Sequence, residues 1–110
     1  MFSRELKKGS TELLVLALLE ARPRHGYELG KLIASRSHGR LQFRIGSLYP
    51  ILCRLEEKGL ITGRWVEKSG ERRRRFYRLT GAGRTMLETQ RSVWHDFITA
   101  VNQILGGEHA

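Results

Sequence analysis

Apolar residues gather in four helical stretches and one alternating stretch along the 110-residue chain. Leu13 to Leu19 is apolar almost all round, so a buried central helix is expected there. Ser10 is expected to cap it, with Glu12 favourably placed at its start and Pro23 stopping it. A second helix is expected from His25-Gly26 to about Ser35, with Leu29, Leu32 and Ile33 on one face and Ser37-His38-Gly39 at its end. Leu41 to Arg44 alternates and reads as a short strand or an extended linker. In the third helix Leu48, Ile51, Leu52 and Leu55 recur at i, i+3, i+4 and i+7. Ser47 is the expected N-cap, which puts Pro50 at the third helical position, and Gly59 is the expected closing residue. The opposite face then carries Gly46, Tyr49, Pro50, Cys53, Arg54 and Glu57.

Ile61 to Glu67 and Arg74 to Leu79 read as two strands joined through Ser69-Gly70-Glu71. Thr80 should cap a long helix from Gly81 to Leu105. Along it a three-four alternation runs through Leu87, Gln90, Trp94, Phe97, Val101 and Ile104, widened by Met86, Val93, Ile98 and Leu105. The order predicts a mainly α fold with a small β-hairpin: a winged helix-turn-helix followed by a long C-terminal dimerisation helix. Residues 1–80 are expected to form the DNA-binding domain and residues 81–110 the dimerisation helix.

Composition sharpens this reading. The apolar fraction of 40% and charged fraction of 28% are those of a globular chain. Twenty Lys and Arg oppose eleven Asp and Glu, a formal charge of +9. Residues 1–78 carry net +10 and residues 79–110 net −1, so the basic character belongs to the first two-thirds. It peaks on the hairpin, where Arg64, Lys68, Arg72, Arg73, Arg74, Arg75 and Arg78 face only Glu67 and Glu71. A charge run alone is as easily a solvated face, but on the wing of such a fold it lies where a polyanion would sit. The expected partner is therefore double-stranded DNA carrying a near-palindromic operator.

The other chemistries find little support. One cysteine excludes an intrachain disulfide, and Cys53 reads as an ordinary small side chain ahead of a redox switch. His38, His95 and His109 share no ligand spacing, so neither a metal nor a cofactor is expected. No Cys/His/acid constellation or glycine-rich phosphate loop is present, so the chain is not expected to be an enzyme. The apolar run at Leu13–Leu19 is too short to span a bilayer and no small-residue cleavage site follows the charged start. A cytoplasmic protein without membrane contact is expected.

The chain also resembles the PadR family of bacterial transcriptional regulators. The resemblance is carried by Leu16-Ala17-Leu18-Leu19, Pro23 and His25-Gly26-Tyr27-Glu28-Leu29, then Gly46-Ser47-Leu48-Tyr49-Pro50 and Leu55-Glu56. Gly59-Leu60-Ile61, Trp65, Arg75-Phe76-Tyr77-Arg78-Leu79-Thr80, Gly83-Arg84 and Trp94 complete it. It implies a homodimeric repressor of the short-tailed subgroup, often released by a small aromatic effector. Phe76, where Tyr is common, and Gly63, where a small polar residue is common, are its departures.

The DNA-binding residues expected on these grounds are Tyr27, Arg44, Ser47, Tyr49, Pro50, Arg54, Lys68, Arg72, Arg73 and Arg74. Arg54 either grips a guanine, a phosphate, or an acid on its own helix, Glu56 or Glu57. Tyr27 either donates to a phosphate or packs beneath the third helix. His25 is read as a cap or turn residue with no catalytic role. Leu87, Trp94, Phe97, Val101 and Ile104 form the expected dimer interface. Val93, Trp94 and Phe97 would line a cavity for a flat aromatic effector between paired Trp94 rings. The competing reading is a winged-helix module that binds a ligand or a protein and has no specific operator.

Overall fold

The computed structural model describes residues 4–106. Among these residues there are four helices: α1 (Arg4–Leu19), α2 (Gly26–Arg36), α3 (Ile45–Glu57) and α4 (Gly81–Leu105). Three strands accompany them: β1 (Arg24–His25), β2 (Ile61–Val66) and β3 (Arg74–Leu79). This is the mainly α winged-helix architecture the sequence predicts. His109 lies outside the described residues.

The core is built where the periodicity places it. Val15, Leu16, Leu18 and Leu19 of α1 meet Leu29 and Ile33 of α2, Leu48, Leu52 and Leu55 of α3, and Ile61, Tyr77 and Leu79 of the hairpin. Each such side chain contributes about 1.5–3 kcal/mol of burial, which is what fixes α3 against the other two helices. The helix ends have local causes. Gly59, at φ +75°, follows α3, and the Gly59 and Leu60 amides donate to the Glu56 and Leu55 carbonyls in a Schellman closure. The Thr80 hydroxyl accepts from the Gly83 amide and donates to the Gly59 carbonyl, so one side chain starts α4 and holds it to the end of α3.

Three details differ from expectation and one settles an alternative. First, α1 begins at Arg4 rather than after Ser10, because Glu5, Leu6, Lys7 and Lys8 are good helix formers and extend it backwards. Second, α3 begins three residues earlier than a Ser47 cap implies. Arg44 holds the N-cap with an extended backbone and no side-chain bond, its carbonyl accepting from Ser47 and Leu48. Pro50 is thus the sixth helical residue and removes the donor that the Gly46 carbonyl would use. Gly46 is exposed, so water can satisfy that carbonyl. Third, of the two readings left open for residues 41–44, the extended linker holds and the strand does not.

Fourth, the sheet has three strands in the order β1-β3-β2, all antiparallel. Arg24 pairs with Tyr77 and His25 with Phe76, while β2 pairs with β3 from Ile61–Leu79 to Val66–Arg74. β1 is only two residues long and shows no alternation, so its pairing with a segment about fifty residues away leaves no local trace in the sequence. Arg24 is buried here: its Nε donates to the Leu18 carbonyl at 2.7 Å and its guanidinium meets Glu28 at 3.0 Å. It thereby ties the end of α1 to the first turn of α2.

Candidate nucleic-acid interface

The outward face of α3 is open. Tyr49 is 48% exposed, and Gly46, Ser47, Pro50, Cys53, Arg54 and Glu57 are exposed beside it. Leu48, Leu52 and Leu55 on the inner face make this orientation unavoidable. Arg44, at the N-cap, is exposed at the same end. Arg54 makes no ion pair among the described residues, so the acid-paired alternative does not hold. Glu56 is instead committed to Arg75, at 2.6 Å. Glu56 also accepts the Gly63 amide at 3.2 Å, so a single carboxylate joins α3 to both wing strands. The partly exposed setting of the pair makes this worth about 1 kcal/mol at most in charge attraction, but it fixes where the wing points.

α2 approaches the same surface through its first turn. Tyr27 is 60% exposed, with Lys31 5.4 Å above its ring, and does not pack beneath α3. Gly26 makes the approach possible, because a Cβ there would lie 2.7 Å from the Ile45 side chain. An apolar groove between α2 and the start of α3 is lined by Tyr27, Lys31, Phe43, Arg44 and Ile45.

The wing carries its cations outward. Lys68, Arg72, Arg73 and Arg74 are all exposed. Arg73 lies over the exposed Trp65 ring at 4.6 Å, which orders its stem without consuming its charge. Arg75 stands between the Trp65 and Tyr77 rings, 5.7 Å from each. Burial pushes the Tyr77 phenol above its ordinary range, with Arg75 opposing. Arg74 reaches the His25 ring at 3.0 Å. The sequence reads His25 as a cap, and it is one: its Nδ1 accepts from the Glu28 amide at 3.1 Å. Its contact with Arg74 has no sequence signal, since the two residues are far apart in the chain and meet only through β1.

The chain therefore presents an exposed helix face, a helix start and a basic wing, with few acids among them. A match to the model of the transcriptional regulator PadR-like family covers residues 15–89. The chain belongs to the PadR-like family of transcriptional regulators. PadR regulators bind DNA and are not enzymes. Solved structures agree over nearly the whole chain. A PadR family regulator from Eggerthella lenta is 32% identical with a TM-score of 0.81, covering 94% of this chain and 88% of its own. A PadR-like regulator from Bacillus cereus is 30% identical with a TM-score of 0.82, covering 94% and 99%. A transcriptional regulator from Clostridium thermocellum is 25% identical with a TM-score of 0.84, covering 94% and 97%.

α4 supplies a second surface. Leu87, expected at a dimer interface, is 1% exposed and packs in the chain's own core. The first turns of α4 must close the winged helix, so Leu87 is not left over for a partner. Beyond them the stripe is open: Val93, Trp94, Phe97, Ile98 and Ile104 are exposed, and Val101 is half-buried. The Trp94 and Phe97 rings lie 6.0 Å apart and tilted by 38°. Arg91 reaches Glu20 at 3.0 Å, bracing this helix against the end of α1. Cys53 is a free, exposed thiol. Among the described residues no group of acids, histidines and cysteine could hold a metal ion, and no helix is long and apolar enough to cross a membrane.

Proposed function

We propose that this PadR-like regulator is a homodimeric, sequence-specific repressor acting in the cytoplasm. The observation that carries this is the pairing of two surfaces on one small fold. One is the exposed α3 face with its flanking cations, and the other is the bare apolar stripe of α4. Tyr49, Ser47, Pro50 and Arg54 read base edges in the major groove, while Arg44, Tyr27, Lys68, Arg72, Arg73 and Arg74 hold phosphates. Trp94, Phe97, Val101 and Ile104 join two chains about a twofold axis, which calls for an inverted-repeat operator. Residues 1–80 thus serve reading and the rest of α4 serves pairing.

A flat aromatic effector fits the same reading. Val93, Trp94 and Phe97 offer open aromatic surface that a twofold axis would double into a slot. A ligand held there changes the separation of the two reading heads and so the affinity for the operator. The test is selection of bound sequences from a random duplex pool at physiological salt, with sedimentation of the same sample. A recovered inverted repeat bound by a dimer is the expected result. Recovery of only salt-labile, sequence-blind binding refutes the operator and favours a ligand- or protein-binding role.

A further inference from the structure

A neutral imidazole has one lone pair and one N–H. The His25 ring, however, is approached by a hydrogen-bond donor at each nitrogen: the Glu28 amide at Nδ1, 3.1 Å away, and the Arg74 guanidinium at Nε2, 3.0 Å away. Both cannot be accepted at once. The Glu28 amide is a first-turn donor of α2 held by the backbone, with His25 its capping partner. Arg74 has a flexible stem, five N–H donors and open solvent around it. The cap therefore keeps the lone pair at Nδ1, and the proton sits on Nε2. That leaves Nε2–H and a guanidinium side by side, two donors with no acceptor between them. Phe76 fixes the ring from its edge, at 5.1 Å and 88°.

The surroundings fit one kind of acceptor. His25 and Arg74 border an open groove of about 430 Å³ whose other walls include Lys68, Arg72 and the apolar Phe76. Its one acid, Glu71, makes no ion pair with these cations among the described residues. Glu28, the nearest acid on α2, is occupied by Arg22 and Arg24. We propose that His25 Nε2–H and the Arg74 guanidinium form a clamp for one phosphate group, supplied by the backbone of bound DNA. The clamp rests on the function proposed above and deepens it. His25 acts as an uncharged donor: it positions a phosphate without displacing a counterion, whereas Arg74 does both.

The test uses the full chain and His25→Ser, in which the hydroxyl still caps α2 but cannot reach as the ring does. Nitrogen-15 NMR of the histidine rings at pH 7.5 reads the tautomer directly, and a His25 proton on Nδ1 overturns the assignment. Inorganic phosphate is expected to shift the His25 ring signals in the wild-type chain and not in Arg74→Gln. On the selected duplex, His25→Ser should bind about tenfold more weakly with an unchanged salt slope. Arg74→Gln should make that slope shallower by about 0.9, the share of one neutralised phosphate. Adding His25→Ser to Arg74→Gln should then cost less than about twofold, since the two share one oxyanion. Duplex binding by His25→Ser equal to wild type overturns the DNA source, even if free phosphate shifts the ring. A wild-type chain that binds no duplex overturns the proposed function together with the DNA half of this inference, while the phosphate titration still judges the donor pair.

Discussion

Gly83 sits where α4 crosses the base of the hairpin, and replacing it by alanine should damage the fold far more than the same change at its exposed neighbour Gly81. A Cβ on Gly83 would stand 1.9 Å from the Leu60 carbonyl oxygen and 3.0 Å from its carbon. Backbone must therefore retreat by about 1 Å or more to clear it. The Leu60 carbonyl is the acceptor for the Thr80 amide at 3.1 Å, and the Gly83 amide is the donor to the Thr80 cap at 3.0 Å. Losing one backbone hydrogen bond costs about 1 kcal/mol, weakening the cap about another, and overpacking a filled site about 1–3. Alanine's better helix propensity returns at most about 1 kcal/mol. The net loss should be about 2–4 kcal/mol. Gly81 is the control two residues away, because a Cβ there meets nothing within 4 Å. Urea unfolding of Gly83→Ala, Gly81→Ala and wild type at one protein concentration isolates the close approach. Gly81→Ala should be neutral or slightly stabilising. Equal midpoints for the two variants would refute the reasoning.

Three further outcomes are expected. Arg24→Met strips the Leu18 carbonyl of its side-chain donor and Glu28 of one partner, and should cost about 1–3 kcal/mol by urea unfolding; a loss below about 0.5 kcal/mol would contradict the tie between α1 and α2. Burial, with help from Arg74 and Arg22 against Glu28, holds the His25 pKa below its ordinary 6.5. The folded state therefore binds fewer protons there, so its contribution is complete above 6.5 and is lost as the pH falls through the folded value. Thermal melts between about pH 7.5 and 5 should show wild type losing more stability than His25→Ser, and parallel curves would reject the point. Trp94→Asp should sediment as a monomer that keeps its helical content, whereas an intact dimer would remove the α4 stripe from the interface.

Sequence patterning carries far where a side chain's periodicity alone decides its surroundings. The inner face of α3 is such a case: Leu48, Leu52 and Leu55 recur at helical spacing and all three are buried. Thr80 before Gly81 is another, since the capping hydroxyl needs only its own neighbours. Patterning fails where the deciding partner is remote. The alternation on α4 runs from Leu87 to Ile104, yet its first member serves the chain's own core while Trp94, Phe97 and Ile104 are open. Periodicity says that a face is apolar, not whose surface covers it. The start of α3 is displaced from its expected place because Ser47 is a good capping residue, while the actual cap, Arg44, uses only its backbone. The wing's cations are visible as a charge run. The pairing of Arg74 with His25 is not, because it depends on a two-residue strand.

The anchoring of α4 at its first turns gives the molecule a gear ratio. Gly83 and Leu87 are clamped in the body, and the helix runs on to Leu105. At about 1.5 Å per residue, its 25 residues form a rod about 37 Å long. A tilt of about 10° at the root sweeps the far end through about 6 Å, nearly two base-pair steps of duplex. In a twofold pair joined near that far end, the motion runs the other way. In the proposed dimer the joined ends would stay still and the two reading heads would swing, so a change of packing beside Leu60 would be magnified at the DNA-facing surface.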